Sequence, residues 1–316
     1  PVTAGAVIGV DVGGTKLLAV RVGPDGRPEA ELRLPSPRDA AQLLARVEQL
    51  VSSLAGEGAG PAAVGVGVPG LVDSAGDLRF APHLPGAVGT RLGGEVHARF
   101  PTAALWVGND ATAAVWGEHA LGAAVGLDEV VMATLGTGIG GGILNRGHVG
   151  EGAHRFAGEF GHMVVDPHGP LCPCGKRGCW ERFASGSGLG LLGREAAVAG
   201  QAHRVVELAG GDPEAVRGEH VTVAAAEGDS AAVGIMSRLA WWVALGLANL
   251  TNIFDPSLLL LGGGLVEAGE VLLGPTRAAF TDLVQHGEAR DGPPIRAAVL
   301  GARAGAIGAA LLASGA

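Results

Sequence analysis

Cys172-x-Cys174-x4-Cys179 holds all three cysteines of a 316-residue chain. An odd number of thiols packed into eight residues is a poor disulfide framework and a good start on a metal site. Zinc takes four tetrahedral thiolate or imidazole ligands, so three cysteines need one partner. His162 and His168 are the nearby histidines. Gly175 and Gly178 let the loop fold back, and Lys176 and Arg177 favour thiolates. The competing reading is three buried, inert cysteines. No exchangeable ligand stands out, which points to a structural ion.

Two glycine-rich stretches carry phosphate chemistry. Asp11-x-Gly13-Gly14-Thr15-Lys16 directly follows an apolar run. Its glycines allow backbone N–H groups to face an anion, Thr15 adds a hydroxyl and Lys16 a charge. Asp11 can hold Mg²⁺ through water. An ordinary hairpin turn would explain this stretch equally well. Gly136-Thr137-Gly138-Ile139-Gly140-Gly141 has the form G-x-G-x-x-G, but a strand-like segment follows where a dinucleotide-binding fold needs a helix. A Rossmann dehydrogenase is disfavoured, and no G-x-x-x-x-G-K-[ST] loop occurs.

The acids come next. Asn109-Asp110 lies at a strand-to-helix junction, where an Asp is commonly a helix cap. The same position suits a general base, because the helix N-terminus stabilises a carboxylate and the strand end aims it. Glu159 and His162 stand three apart among glycines, and Glu181 follows the last cysteine by two. Each alone reads as a solvated surface residue. A metal gathering His162 and the three cysteines would draw Glu159 and Glu181 to one rim. The metal then does no chemistry; it pins a loop that presents carboxylates to a polyol.

These groups need elements to hold them. Residues 6–22 read as strand, glycine turn, strand, and 130–145 repeat that pattern weakly. One such hairpin per lobe would hold a polyphosphate. Residues 39–55 read as an amphipathic helix starting at Asp39. Residues 63–68, 103–107 and 258–265 read as buried strands, helices dominate up to about 253, and a small-residue helix closes the chain. Strands alternating with helices argue for α/β lobes, and the length argues for two of them. Gly 56 and Pro 18 stay just under the level of a low-complexity chain. A net charge of −9 disfavours nucleic-acid and membrane partners. The segment AWWVALGLANLTNIF is too short to span a bilayer and is interrupted by Gly and Asn. Few cysteines and no secretory pattern at the start suggest a cytoplasmic protein.

Taken together these residues resemble the ROK family, a branch of the actin-like sugar kinases. The likeness runs from Asp11-x-Gly-Gly-Thr-Lys16 through Gly65-Val-Gly-Val-Pro-Gly-Leu-Val-Asp73, Asn109-Asp-Ala-Thr-Ala-Ala114 and Leu135-Gly-Thr-Gly-Ile-Gly-Gly-Gly142. It continues through Gly158-Glu-Phe-Gly-His162, Cys172-Pro-Cys-Gly-Lys-Arg-Gly-Cys-Trp-Glu181, Asp255-Pro-Ser-Leu-Leu-Leu-Leu-Gly-Gly-Gly264 and Ala304-Gly-Ala-Ile-Gly-Ala-Ala310. The resemblance implies a two-lobed, ribonuclease-H-like α/β fold with a cleft between lobes. The expected lobes are 1–118, joined by a returning helix at 301–316, and 119–300 with a zinc loop at 162–181.

It implies Asp110 as the base toward a sugar hydroxyl, and Gly70, Asp73, Asn109, Glu159, His162 and Glu181 as sugar-binding residues. His162, Cys172, Cys174 and Cys179 would hold a structural Zn²⁺. Asp11, Gly13, Gly14, Thr15, Lys16, Gly136, Thr137 and Gly138 would face ATP phosphates and Mg²⁺, and Gly262, Gly263 and Gly264 the adenosine. A homo-oligomer, dimer or tetramer, is expected.

The implied activity is that of an ATP- and Mg²⁺-dependent hexose kinase, with glucose the leading substrate. Other ROK kinases of mannose, fructose or N-acetylhexosamines are the alternatives, followed by a sugar-responsive repressor and a sugar sensor without catalysis. Two departures from the family pattern touch the choice of sugar. Thr112 stands where Asn is usual, and His83-Leu-Pro-Gly-Ala87 where Asn-Leu-Pro-Gly-Trp is usual.

Overall fold

The computed structural model describes residues 5–37, 39–56, 60–82, 84–285 and 292–315. In chain order the elements begin with β1 (Val7–Val12), β2 (Lys16–Val22), β3 (Pro28–Pro35), α1 (Ala40–Ala55), β4 (Ala63–Val68), β5 (Leu71–Val72) and β6 (Leu78–Phe80). Next come α2 (Leu92–Arg99), β7 (Ala104–Asn109), α3 (Asp110–Leu121), β8 (Val130–Leu135), β9 (Ile139–Asn145) and β10 (His148–Val149). Then follow α4 (Glu181–Ala184), α5 (Gly186–Val198), α6 (His203–Leu208), α7 (Gly218–Ala226), α8 (Ser230–Phe254), β11 (Leu258–Gly262), α9 (Glu270–Leu283), β12 (Ile295–Ala297) and α10 (Ala304–Ser314).

The chain divides into two compact units. The first comprises the described residues within 1–132, 141–158 and 298–316. Its sheet runs β3-β2-β1-β4-β7. β1 pairs antiparallel with β2 and parallel with β4, and β4 pairs parallel with β7. Strand alternation decides what each face packs against. Ile8, Val10 and Val12 join Leu43, Val47, Leu50 and Val51 of α1 in one apolar cluster. Val7 turns to the other face, with Ala306, Ile307 and Ala310 of α10.

Glycines bring α10 onto that face. A Cβ at Gly9 would stand 1.8 Å from the Ala306 carbonyl oxygen, and one at Gly65 1.9 Å from that of Ala309. Glu118 of α3 is fully buried, and its carboxylate accepts the Val299, Leu300 and Ala123 N–H groups at 2.8–2.9 Å. That ties the returning chain to α3.

The sequence places the unit boundary at 118–119, whereas 119–132 and 141–158 pack with the first unit. The reason is visible at Gly142, where a Cβ would lie 2.6 Å from the Ala111 carbonyl of α3. The second half of β9 therefore rests on that helix.

The second unit comprises 133–140 and the described residues of 159–297. A second sheet runs β10-β9-β8-β11-β12. The apolar segment judged too short for a membrane lies in α8, which spans 25 residues with a mean hydropathy of 1.5 over its apolar window. Length therefore does not exclude it. Its packing gives it another use: 56% of that window is buried, and Gly246 lies flat against Trp180.

Candidate functional site

In the first unit the pleat of β1 sends Asp11 to the α10 face. A Cβ at Gly305 would lie 2.9 Å from the Asp11 Cγ, so glycine makes room for the carboxylate. Asp11 keeps some accessible surface yet sits deep among protein atoms. Burial, then the charge of Asp110, push its pKa up to about 8 against the pull of Lys16. Two acids crowded this way form a donor set that suits a hard cation.

The turn that follows closes through Gly13 N–H donating to the Lys16 carbonyl at 2.9 Å. Neither Gly13 nor Gly14 is left-handed. The expected conformational need for glycine is therefore absent here. At Gly13 the need is steric, since a Cβ there would lie 2.9 Å from the Lys16 carbonyl oxygen, whereas Gly14 faces open space with nothing within 4 Å of its Cβ position. Thr15 and Lys16 are exposed.

At the β7–α3 junction the capping is done by Asn109. Its Oδ1 accepts the Thr112 N–H at 3.0 Å, and its Nδ2 donates to the Gly70 carbonyl at 3.3 Å. Asp110 is the first helical residue, with Oδ1 accepting the Ala111 N–H at 2.8 Å. The cap and the acid are thus separate residues. Gly70 is obligatory, with φ 117 and room for a Cβ blocked by the Phe80 carbonyl at 2.0 Å.

Asp73 serves a turn. Its oxygens accept the Ala75 and Asp77 N–H groups at 3.0 Å and the Arg79 Nε at 2.6 Å. These bonds, the Asp77 N–H foremost, hold its pKa below the usual carboxylate range. Oδ1 takes both N–H groups and Oδ2 only Arg79, so closing the β5–β6 hairpin leaves an acceptor site on Oδ2. Thr112 is buried in α3 and Ala87 is 1% exposed in the apolar core, so neither lends open volume. His83 lies outside the described residues.

In the second unit His162, Cys172, Cys174 and Cys179 bring four ligand atoms within 4.8 Å of one another. Cys174 Sγ and Cys179 Sγ are 3.5 Å apart, and Cys172 Sγ and His162 Nδ1 3.8 Å. A tetrahedron with bonds of about 2.3 Å has edges of about 3.8 Å, so the set fits zinc. His168 is outside the cluster, its backbone N–H donating to Asp166. Burial pushes the Cys172 and Cys179 thiols up, while at Cys174 the Lys176 N–H and the neighbouring thiols outweigh burial and bring it down. A bound cation would take the place of those protons.

The loop has its own frame. Val165 N–H donates to the Gly178 carbonyl at 2.9 Å and Trp180 N–H to the Met163 carbonyl at 2.8 Å. Gly178 has φ 67, and a Cβ there would collide with the Asp166 carbonyl at 1.5 Å. Trp180 is fully buried and its Nε1 donates to the Trp242 carbonyl on α8 at 2.7 Å.

Glu181, next in sequence, therefore leaves a fixed point. Its Oε1 is 3.0 Å from the Cys172 Sγ and 3.8 Å from His162 Nδ1, while His162 Nε2 is 3.7 Å from Glu159. Nδ1 thus faces both Cys172 and Glu181, and Nε2 faces Glu159.

Glu181 also reaches the second glycine turn. A Cβ at Gly138 would lie 2.7 Å from its Oε2. That turn closes by Gly136 N–H to the Gly138 carbonyl at 3.0 Å, and Gly186 N–H of α5 donates to the Gly136 carbonyl at 2.8 Å. Gly262 ends β11, and Gly263 has φ 85 with its Cβ position blocked by Leu135. Gly264 faces open space.

A cavity of about 750 Å³ is lined by Gly136, Thr137 and Gly264 together with Arg182, Arg194 and Arg217. The sequence did not single out the three arginines. They come from α4, α5 and the residue before α7, and only folding assembles them. The nearest local signal is the small-residue start of α5, Gly186-Ser-Gly-Leu-Gly190.

Known proteins resemble this chain over nearly its whole length. A glucokinase from Streptomyces coelicolor is 39% identical over 314 residues, 98% of both chains. An N-acetylmannosamine kinase from Shigella flexneri is 33% identical over 98% of both chains. The crystal structure of a ROK family glucokinase from Streptomyces griseus in complex with glucose and AMPPNP superposes with a TM-score of 0.88 at 39% identity, covering 99% of this chain and 100% of that one. The ROK family model matches residues 7–316, so it takes in both glycine turns, the Asn109-Asp110 junction and the cysteine loop, and the chain belongs to the ROK family.

Proposed function

We propose that the chain is an ATP-dependent hexose kinase that transfers the γ-phosphoryl group of ATP to the 6-hydroxyl of glucose. The observation that carries this is the division of labour at the β7–α3 junction. Asn109 caps the helix at Thr112, while Asp110 starts the helix with Oδ1 on the Ala111 N–H, which aims its carboxylate from the end of β7 as a base for the hydroxyl proton requires. The relative and the structural neighbour named for glucokinase activity support the same reading.

Asp110 accepts the sugar proton as the oxygen attacks, and phosphoryl transfer needs little else beyond position and charge. Asn109, Glu159, His162 and Glu181 hydrogen-bond the sugar, and Gly70 keeps the Asn109 side chain in place. Gly13, Gly14, Thr15, Lys16, Gly136, Thr137 and Gly138 face the phosphates. The cavity beside Gly262, Gly263 and Gly264 takes the nucleoside, with its arginines matching the anionic charge of the donor. Asp11 would hold Mg²⁺, which when bound neutralises charge between phosphate oxygens. His162, Cys172, Cys174 and Cys179 would hold Zn²⁺ as a structural ion. We place the enzyme in the cytoplasm, as a homo-oligomer acting on small molecules, without nucleic-acid or membrane partners.

The test is a coupled assay with ATP over glucose, mannose, fructose, galactose and the N-acetylhexosamines. Glucose is expected to show the highest kcat/KM and mannose an intermediate value. Preference for N-acetylmannosamine or N-acetylglucosamine would overturn the choice of glucose. Glucose binding by calorimetry without phosphorylation would overturn the kinase itself.

A further inference from the structure

Among the described residues three non-glycine residues have left-handed backbone: Arg146, Arg155 and Asp255. Arg146 sits with Gly147 in the two-residue turn between β9 and β10, a turn that requires positive φ at both positions. Asp255 is the left-handed C-cap of α8. Arg155, at φ 64, belongs to neither kind of device. Its own N–H closes a turn on the Gly152 carbonyl at 3.4 Å. A non-glycine residue that is left-handed at the end of such a turn persists only when its surroundings hold it, and its side chain shows what they hold.

That side chain reaches the strand that carries the base. Its Nη1 donates to the Val107 carbonyl of β7 at 3.2 Å, and its Nη2 pairs with Glu151 at 2.6 Å. Its guanidinium carbon lies 5.7 Å from the centroid of the Trp106 ring. The same ring covers Gly108, where a Cβ would come within 2.4 Å of it. Guanidinium, indole and the Gly108 backbone thus pack together directly before Asn109 and Asp110. Arg155 Nε is buried with no hydrogen-bond partner among the described residues. A group kept only for stability is normally fully paired. This one gives up a bond to keep its Nη atoms on β7 and Glu151.

We infer that Arg155 is a positioning residue for the base: it fixes the end of β7 and so the place from which Asp110 reaches the sugar hydroxyl. The inference rests on the reading of Asp110 as that base. Arg155 acts through Val107 and Trp106 and touches no substrate in this account. A lysine cannot replace it, because one ammonium cannot hold the carbonyl, the carboxylate and the ring face at once.

The test uses Arg155→Gly and Arg155→Lys in the full chain, assayed well below their melting temperatures. Glycine is at ease at this φ, so the first variant removes the side chain and relieves the backbone together. A small displacement of a reacting group costs up to about a hundredfold in rate, so kcat for glucose should fall by about 10- to 100-fold in Arg155→Gly. KM for ATP should hold steady, and Arg155→Lys should recover little.

Combining Arg155→Gly with Asp110→Asn should add almost nothing to the loss from Asp110→Asn alone, because no base is left to position. A second full loss in the double variant overturns the inference while leaving the base in place. Wild-type kcat in Arg155→Gly, with only a lower Tm, overturns it as well. Near-native turnover in Asp110→Asn alone overturns the base reading, and with it this inference.

Discussion

Asp110 and Glu181 are held by opposite means. Asp110 stands mostly on main-chain hydrogen bonds, the parallel pairing of β7 with β4 and the first turn of α3, with the Asn109 side chain as the cap. Glu181 stands at the end of a loop with little regular structure, between four clustered metal-ligand atoms and a buried Trp180. The first arrangement is built by strand and helix patterning, and one side chain can change without loss of its frame. The second concentrates its frame in a few side chains, so one loss should release several. Replacing the acid at each place should therefore fail differently from replacing a metal ligand: the base variant in turnover at constant stability, the ligand variant in both.

The largest expected effect is at the first place. Asp110→Asn keeps shape and removes basicity, so kcat should fall by about 10²–10⁴. Glucose binding by calorimetry and the Tm should stay close to wild type. Near-native turnover would remove Asp110 as the base.

The second place should respond more broadly. Cys179→Ser removes one of four ligands, so zinc content by metal analysis should drop from about one per chain, with Tm falling alongside because metal binding is coupled to folding. Glu181→Gln tests the same loop gently. Losing a charged hydrogen bond worth about 1.5–3 kcal/mol should lower kcat/KM for glucose by about 10- to 100-fold, with a much smaller change in KM for ATP. Because Glu181 lies against Gly138, an equal rise in the ATP constant would show that its main task is to shape the phosphate turn. Zinc-free protein with full activity and an unchanged Tm would end the contrast between the two places.

The same contrast explains what was legible in the sequence. The helix from Asp39 was readable because Leu43, Leu44, Val47, Leu50, Val51 and Leu54 repeat at helical spacing, and all six are buried. The ligand set was readable because cysteines are rare enough in this chain for their clustering to stand out. β3 was not readable. It carries Glu29, Glu31 and Arg33 with mostly exposed positions, so no apolar alternation marks it. As an edge strand it needs only one neighbour, β2. The cavity arginines and Arg155 were silent for another reason. Their roles depend on what lies across space, such as the Val107 carbonyl, and neighbours in sequence carry no trace of that.

The crowding of Asp11 gives a pH test. Its pKa is raised from 3.8 to about 8 in the fold, by burial first and by Asp110 second. Folding therefore favours its neutral form. That contribution is complete below about pH 4 and is lost as pH rises through about 8. Without Mg²⁺ the protein should lose Tm across that window, and Asp11→Asn should flatten this part of the curve. Added Mg²⁺ should restore Tm at pH 8 in the wild type and much less in the variant. A melting curve with the same pH slope in both proteins would remove Asp11 as the titrating group.

The smallest expected effect separates the two bonds of Asn109. Its Oδ1 caps α3 through Thr112, and its Nδ2 holds the Gly70 carbonyl. Asn109→Ala removes both. Loss of a cap costs about 1 kcal/mol, which lowers Tm by about 2–4 °C in a chain of 150–250 residues and no more in this longer one. Asn109→Ser keeps an oxygen able to cap the helix but cannot reach Gly70, so its Tm should lie close to wild type. Turnover should not follow Tm. If the tether to Gly70 matters for the sugar, both variants should raise KM for glucose to a similar degree, although only one is destabilised. Should KM recover in Asn109→Ser along with stability, the cap alone would account for Asn109, and the sugar contact assigned to it would be dropped.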